Sequence, residues 1–379
     1  MIKHILILCA FRIILVNSNT ISSKRLIEII NSQNSTWRAG LNFPEETHTN
    51  HVKQRLGFLK NHPDPNFQPE RRIHNTVAKI LPKTFDVRDK WPKCSEIIGH
   101  IRDQGNYGSS WAFAPVEVMS DRLCIQSNGR VKFEFSAEDL MSCCSCQLDE
   151  SENRADGYLD LAWEHWKVHG IVSGGDYNSD KGCKPFGALV YLNNTIPECQ
   201  NSCTNLDYET SYNDDLHFGL NYYYLEEGNI TAIQLALTTQ GPVQVKFTVY
   251  EDFPYYKEGV YQHSYGEEIG GLYLKIIGWG VENSVPYWLV ANSWGTSWGS
   301  LNGFVKIRRG FNEGGIESDA VVCEADYEAP ITTPTTTSPT TTTTDTPGGH
   351  GTAIQIAPVL LLLIHFVFIL NVFPFNKIM

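Results

Sequence analysis

The sequence predicts an α+β domain of two lobes. Three observations carry this: a helical pattern in the first half, alternating strands in the second, and a dense set of cysteines between Cys94 and Cys203. In residues 110–128 the apolar side chains Phe113, Val116, Met119 and Leu123 recur at helical spacing, and Asn128-Gly129 supplies the stop. Later the period falls to two. In GPVQVKFTVY, residues 241–250, Val243, Val245, Phe247 and Val249 share one face of a strand. LYLKIIGWG, PYWLVANSWG and GFVKIRRG, which begin at Leu272, Pro286 and Gly303, read as further strands. Leu272, Leu274 and Ile276 then fall on one face, with Lys275 on the other.

Around this domain the composition changes several times. Residues 1–20 place Lys3 ahead of an apolar stretch and read as a secretory signal peptide. Residues 21–80 are a polar leader. At Leu81-Pro82-Lys83 the texture turns rich in Trp, Cys and Gly, and a compact domain is expected over 81–328. Residues 329–352 are largely Thr and Pro, which cannot bury a core, so they form an extended, O-glycosylated stalk. Residues 353–379 are strongly apolar and suit either a membrane-spanning helix or a GPI-attachment signal. Gln355, His365 and Asn371 would be costly in a permanent helix, and Gly348, Gly349 and Gly351 suit the attachment site, so the GPI reading is preferred. Either anchor puts the domain in the secretory pathway, in an extracellular or lysosomal lumen, held at the cell surface.

Charge and cysteine usage narrow the function. A formal charge of -12 argues against nucleic acid as a partner. Of ten cysteines, Cys9 leaves with the signal, and the rest read as a disulfide framework in an oxidising compartment. Cys143, Cys144 and Cys146 are too crowded for a tetrahedral zinc site and no matching knuckle follows, so no metal and no cofactor are expected. The triplets at Asn34, Asn193 and Asn229 are glycosylation acceptors in a secreted chain.

The chemistry lies in three ordered segments. DQGNYGSSWAFAPVE, GGLYLKIIGWGVEN and PYWLVANSWGTSWG begin at Asp103, Gly270 and Pro286. Together they resemble the active-site motifs of papain-family cysteine proteases. WPKCSEIIGHIRDQG, GIVSGGDYNSDKGCKPF, YKEGVYQH, GGIESD and the leader segment NSTWRAGLNF narrow the likeness to cathepsin B. The resemblance covers residues 25–325. It implies a papain-like fold with a helical left lobe, a β-barrel-like right lobe and an active-site cleft between them. Residues 21–80 become a cathepsin B-type propeptide and 81–328 the peptidase domain.

The resemblance also assigns roles, and the chain departs from two of them. Ser110 stands at the nucleophile position and Leu272 at the histidine position, whereas Gln104 keeps the oxyanion position and Asn292 the position that orients the histidine. A thiol at a helix N-terminus beside an imidazole is held as thiolate. A serine hydroxyl instead needs a general base, which Leu272 cannot be. His263 lies in a segment that resembles relatives with a working histidine, so it reads as structural. The expected cleft-wall residues are Trp111, Asp156, Gly157, Gly271 and Trp294, and Asp319 is the acidic base of the pocket for the substrate's second side chain. The implied bridges are Cys94–Cys124, Cys143–Cys199 and Cys183–Cys203, with Cys144, Cys146 and Cys323 left open. The family's Cys at Tyr107 is absent. The span between Cys183 and Cys199 carries no histidine pair for a substrate carboxylate. The expected function is a non-catalytic module that binds peptides or proteins, protease inhibitors among them. A residually active peptidase and a structural extracellular module are the alternatives.

Overall fold

The structure, a computed structural model, describes residues 21–44, 49–57, 66–68, 70–72, 80–146 and 157–327. The expected signal peptide, stalk and anchor lie outside the described residues. Among the described residues, no helix is long and apolar enough to cross a membrane. In chain order the helices are α1 (Ser23–Ser32), α2 (Thr49–Gln54), α3 (Val87–Lys90), α4 (Ser95–Gly99), α5 (Ser110–Gln126), α6 (Ala137–Cys143), α7 (Leu159–Val168), α8 (Ala188–Asn193) and α9 (Ile230–Thr239). The strands are β1 (Trp37–Ala39), β2 (Arg71–Arg72), β3 (Phe85–Asp86), β4 (Gly219–Leu225), β5 (Val243–Tyr250), β6 (Tyr256–Tyr261), β7 (Glu268–Glu282), β8 (Val285–Ala291), β9 (Phe304–Arg308) and β10 (Ala320–Ala325).

Two hydrophobic cores define the two lobes. The helical core gathers Trp111, Phe113, Met119 and Leu123 of α5 with Trp163 and Trp166 of α7 and Leu140 of α6. The sheet core gathers Val243, Val245, Phe247 and Val249 of β5 with Leu272, Leu274 and Ile276 of β7 and Trp288 of β8. Each large side chain fully buried in this way contributes about 1.5–3 kcal/mol. Helix α5 ends as its sequence requires. Asn128 and Gly129 both take positive φ, 56° and 76°, and the Gly129 amide closes on the Cys124 carbonyl at 2.8 Å.

The sheet runs β1-β6-β9-β8-β7-β5-β10-β4-β2, with β3 paired to β7 off this path. Antiparallel pairing sets Phe247 opposite Leu272, Val245 opposite Leu274 and Val243 opposite Ile276. The alternation therefore points both leucines and the isoleucine into the sheet core, while Tyr273 joins the helical core. Strand β5 departs from simple alternation. Gln244, on its opposite face, is fully buried with both amide atoms unpartnered. At Gln244 that face is covered by packing rather than open to water, which a period of two cannot reveal.

The leader is built into the same sheet. Strand β1 pairs antiparallel with β6, and β2 pairs parallel with β4, so leader residues form both ends of the strand path. The structure contains the bridges Cys94–Cys124, Cys143–Cys199 and Cys183–Cys203, with Cα separations of 5.9, 4.7 and 4.6 Å. It also joins Cys144 to Cys146 and leaves Cys323 free and buried.

Candidate active-site cleft

Ser110 is the first residue of α5 and is fully buried. Its hydroxyl accepts from the Tyr273 amide at 3.2 Å and donates to the Gly57 carbonyl at 3.5 Å. Leu272 immediately precedes Tyr273, and its side chain is wholly buried in the sheet core opposite Phe247. The strand thus brings the amide that follows position 272 onto Ser110, while the side chain at 272 is hydrocarbon held in the sheet core. Among the described residues, no imidazole is hydrogen-bonded to Ser110.

Gln104 and Asn292 are both buried near the Ser293 backbone. The Gln104 Oε1 accepts from the Ser293 hydroxyl at 2.7 Å, and the Gln104 backbone amide donates to the Ser293 carbonyl at 3.0 Å. Its Nε2 donates to Tyr107 and Arg55 carbonyls at 2.6 and 2.8 Å. Asn292 is buried, and its Oδ1 accepts from the Ser293 amide at 2.8 Å, while its Nδ2 has no hydrogen-bond partner. A buried polar group without a partner costs about 1–3 kcal/mol.

The cleft is occupied by the chain's own leader, through residues the sequence reading did not single out. Arg55, Leu56 and Gly57 pass over the head of α5. Gly57 and Gly108 meet backbone to backbone: a Cβ on Gly57 would lie 1.6 Å from the Gly108 carbonyl oxygen. Leu56 fills the space over Gly270, where a Cβ would meet its side chain at 2.8 Å. Arg55 sits 3.6 Å from Asp103 and over the Phe43 ring at 4.9 Å, and burial lowers its pKa. The only sequence signal was the likeness of the leader to a propeptide, which names no contact.

Of the expected wall residues, Trp111, Gly157, Gly271 and Trp294 are buried. Trp111 is fully buried, and Gly157 packs so closely on its indole that a Cβ would meet the ring at 2.3 Å. Gly271 is buried in β7. Trp294 contacts Phe43 of the leader edge-on at 5.9 Å and Trp298 at 5.4 Å. Asp156 lies outside the described residues. Asp319 is already paired. Arg71 of the leader reaches its carboxylate at 2.6 Å, and Lys246 contacts the other oxygen. Although burial opposes ionisation, hydrogen bonds from Lys246 and Arg71 hold this carboxyl below its ordinary range.

Other charged groups support the frame rather than the chemistry. Lys275, on the face of β7 opposite Leu272, is buried with Asp121 at 2.9 Å and Glu117 at 3.5 Å. Burial pushes Asp121 up to about 7, against the attraction of Lys275. His263 stacks on Tyr250 at 3.8 Å and faces Asp252 at 3.3 Å. Among the acceptor asparagines, Asn34 and Asn193 are exposed. Asn229 is half-buried and caps α9, its Oδ1 accepting from Ala232 at 2.9 Å and its Nδ2 donating to Glu226 at 2.8 Å. A glycan on Nδ2 would leave the cap acceptor but displace Glu226.

Residues 81–323 match the family described as papain family cysteine protease, and residues 22–62 match the peptidase family C1 propeptide. Among curated proteins, the chain is 41% identical over 318 residues to cathepsin B-like cysteine proteinase 5 of Caenorhabditis elegans, covering 79% of this chain and 90% of that protein. It is 45% identical over 250 residues to cathepsin B-like cysteine proteinase 3 of the same organism, covering 65% and 66%. Among solved structures, procathepsin B S9 from Trypanosoma congolense superposes with a TM-score of 0.67 at 30% identity, over 80% of this chain and 98% of that one. Digestive procathepsin L 3 of Tenebrio molitor superposes at 0.57 with 20% identity, over 80% and 90%, a likeness of fold alone.

Proposed function

Because the chain belongs to the papain family of cysteine proteases and is cathepsin B-like, we propose that it is a member which binds at the family's cleft without cutting. The observation that carries this reading is the surroundings of the Ser110 hydroxyl, which bonds the Tyr273 amide and a leader carbonyl, with the residue before that amide, Leu272, a hydrocarbon buried in the sheet core. A serine attacks a carbonyl only when a base removes its proton. The head of a helix contributes at most about 2 kcal/mol toward stabilising an anion. That is between one and two pKa units, far short of ionising an alkanol near neutral pH. The retained Gln104 donor can polarise a bound carbonyl, which alone leaves only weak acceleration.

The ligand is a peptide or protein, a protease inhibitor among the candidates, whose basic side chain replaces Arg71 at Asp319. A ligand must first displace Arg55, Leu56 and Gly57, so the leader acts as an internal competitor. The propeptide and the cathepsin B-like relatives fit a secretory or lysosomal route, and anchoring at the cell surface through residues 353–379 completes the proposal. The test is incubation of the purified chain, with and without leader removal, with a thiol-reactive peptide epoxide and fluorogenic peptides. Neither labelling at Ser110 nor turnover is expected. Stoichiometric labelling or turnover that tracks the purified protein would establish a peptidase instead.

A further inference from the structure

A second cavity, of about 640 Å³, opens away from the cleft beside α7 and the Cys143–Cys199 bridge. Two imidazoles line it: His165 in the last turn of α7 and His169 at its C-terminal cap. Four residues apart, they project from one helix face. Their ring centroids are 5.0 Å apart with planes inclined by 35°. Nothing in the proposed peptide-binding chemistry uses them.

The spacing has a chemical meaning. A cation bound to imidazole nitrogen at about 2.0–2.1 Å lies about 3.2 Å from the ring centroid. With two such ligands at about 90–110°, the centroids stand about 4.5–5.2 Å apart. The observed separation falls within that window without any change of the helix backbone. The helix C-terminus adds a second, independent preference, since its free carbonyls favour positive charge.

We propose that His165 and His169 form a two-imidazole chelate for a divalent first-row transition cation such as zinc. Among the described residues there is no cluster of three or more His, Cys, Asp or Glu suited to a metal. Protein donors therefore fill two positions, and the others face the cavity, open to water or to a donor from a bound molecule. Cys143, Cys144 and Cys199 also line the cavity, but their sulfurs are held in bridges and are not thiolates. Imidazole donors favour zinc, copper or nickel over calcium or magnesium.

The test is calorimetric titration of Zn²⁺ into the full chain, free of any polyhistidine tag, with parallel titrations of His165→Gln and His169→Gln. One site is expected in the unaltered chain, with affinity reduced at least about tenfold in each variant. Ca²⁺ should give no corresponding site. Zn²⁺ should also raise the melting temperature of the unaltered chain and not that of His169→Gln. His169 is exposed, so its replacement leaves the fold intact and decides the matter even if His165→Gln does not fold. Absence of binding by the unaltered chain, or zinc affinity unchanged in His169→Gln, overturns the proposal.

Discussion

Substituting Gly57→Ala should open the cleft without touching the catalytic positions. The added Cβ would lie 1.6 Å from the Gly108 carbonyl oxygen, and Gly108 is itself packed so that a Cβ there would meet the Leu56 carbonyl oxygen at 2.5 Å. Both obstacles are backbone atoms, so no side-chain rotation relieves them. Overpacking of this kind costs about 1–3 kcal/mol. The cost falls on the docked leader alone, because in the undocked leader the methyl group stands in water. The ratio of docked to undocked leader should therefore fall by about 5- to 150-fold. A cleft ligand competes with the leader, and its apparent dissociation constant is the intrinsic one divided by the open fraction. Fluorescence polarisation with a labelled arginine-containing peptide should show tighter binding to Gly57→Ala, up to that factor or until the leader is fully displaced. Equal affinity for the two proteins, with circular dichroism unchanged, would refute the claim that the leader holds the cleft.

Restoring Ser110→Cys and Leu272→His together should return peptidase activity, whereas either change alone should leave it near background, because nucleophile and base act as a unit. A gain of at least about 10³-fold in the double variant over either single one, measured on leader-free protein, is expected, and additive single effects would contradict it. Lys275→Met should destabilise the domain by about 3–5 kcal/mol in urea unfolding, since it strands Asp121 and Glu117 as buried carboxylates. Adding Asp121→Asn should recover part of that loss, and full additivity would argue against the pair. His100 lies between Glu134 and Asp176, and hydrogen bonds to Asp176 and Glu134 raise its pKa to about 10. The folded value exceeds the unfolded one, so the stabilisation is complete below about pH 6.5 and fades as pH rises through about 10. His100→Phe should cost about 1–2 kcal/mol at pH 6, allowing for solvent screening of its partly exposed ring, and almost nothing at pH 10. A pH-independent difference would rule out this role.

The local elements were legible in the residues because their causes are local. The helix over Ser110–Gln126 follows from apolar spacing and its Asn128-Gly129 stop. Strand β5 follows from alternation, although the buried amide of Gln244 shows that alternation cannot tell open water from a second packed layer. The motifs around Gln104, Ser110, Leu272 and Asn292 named the site as a resemblance, and the fold carries them on the head of α5, on β7 and in the loop after β8. The partners of Asp319 were not legible. Arg71 lies 248 positions away in sequence, and no spacing rule links such distant residues.

By itself the sequence determined which groups stand at positions 110 and 272. A hydroxyl at 110 and a hydrocarbon at 272 cannot exchange a proton in any fold, because that limit lies in the side chains themselves. Tertiary structure alone decided what fills the space left over. It set Gly57 against Gly108, turned the Gln104 amide toward a leader carbonyl, left the Asn292 Nδ2 without a partner, and brought two imidazoles to 5.0 Å beside a separate cavity. These contacts depend on how distant backbone segments approach in three dimensions, and residue identity does not encode that distance.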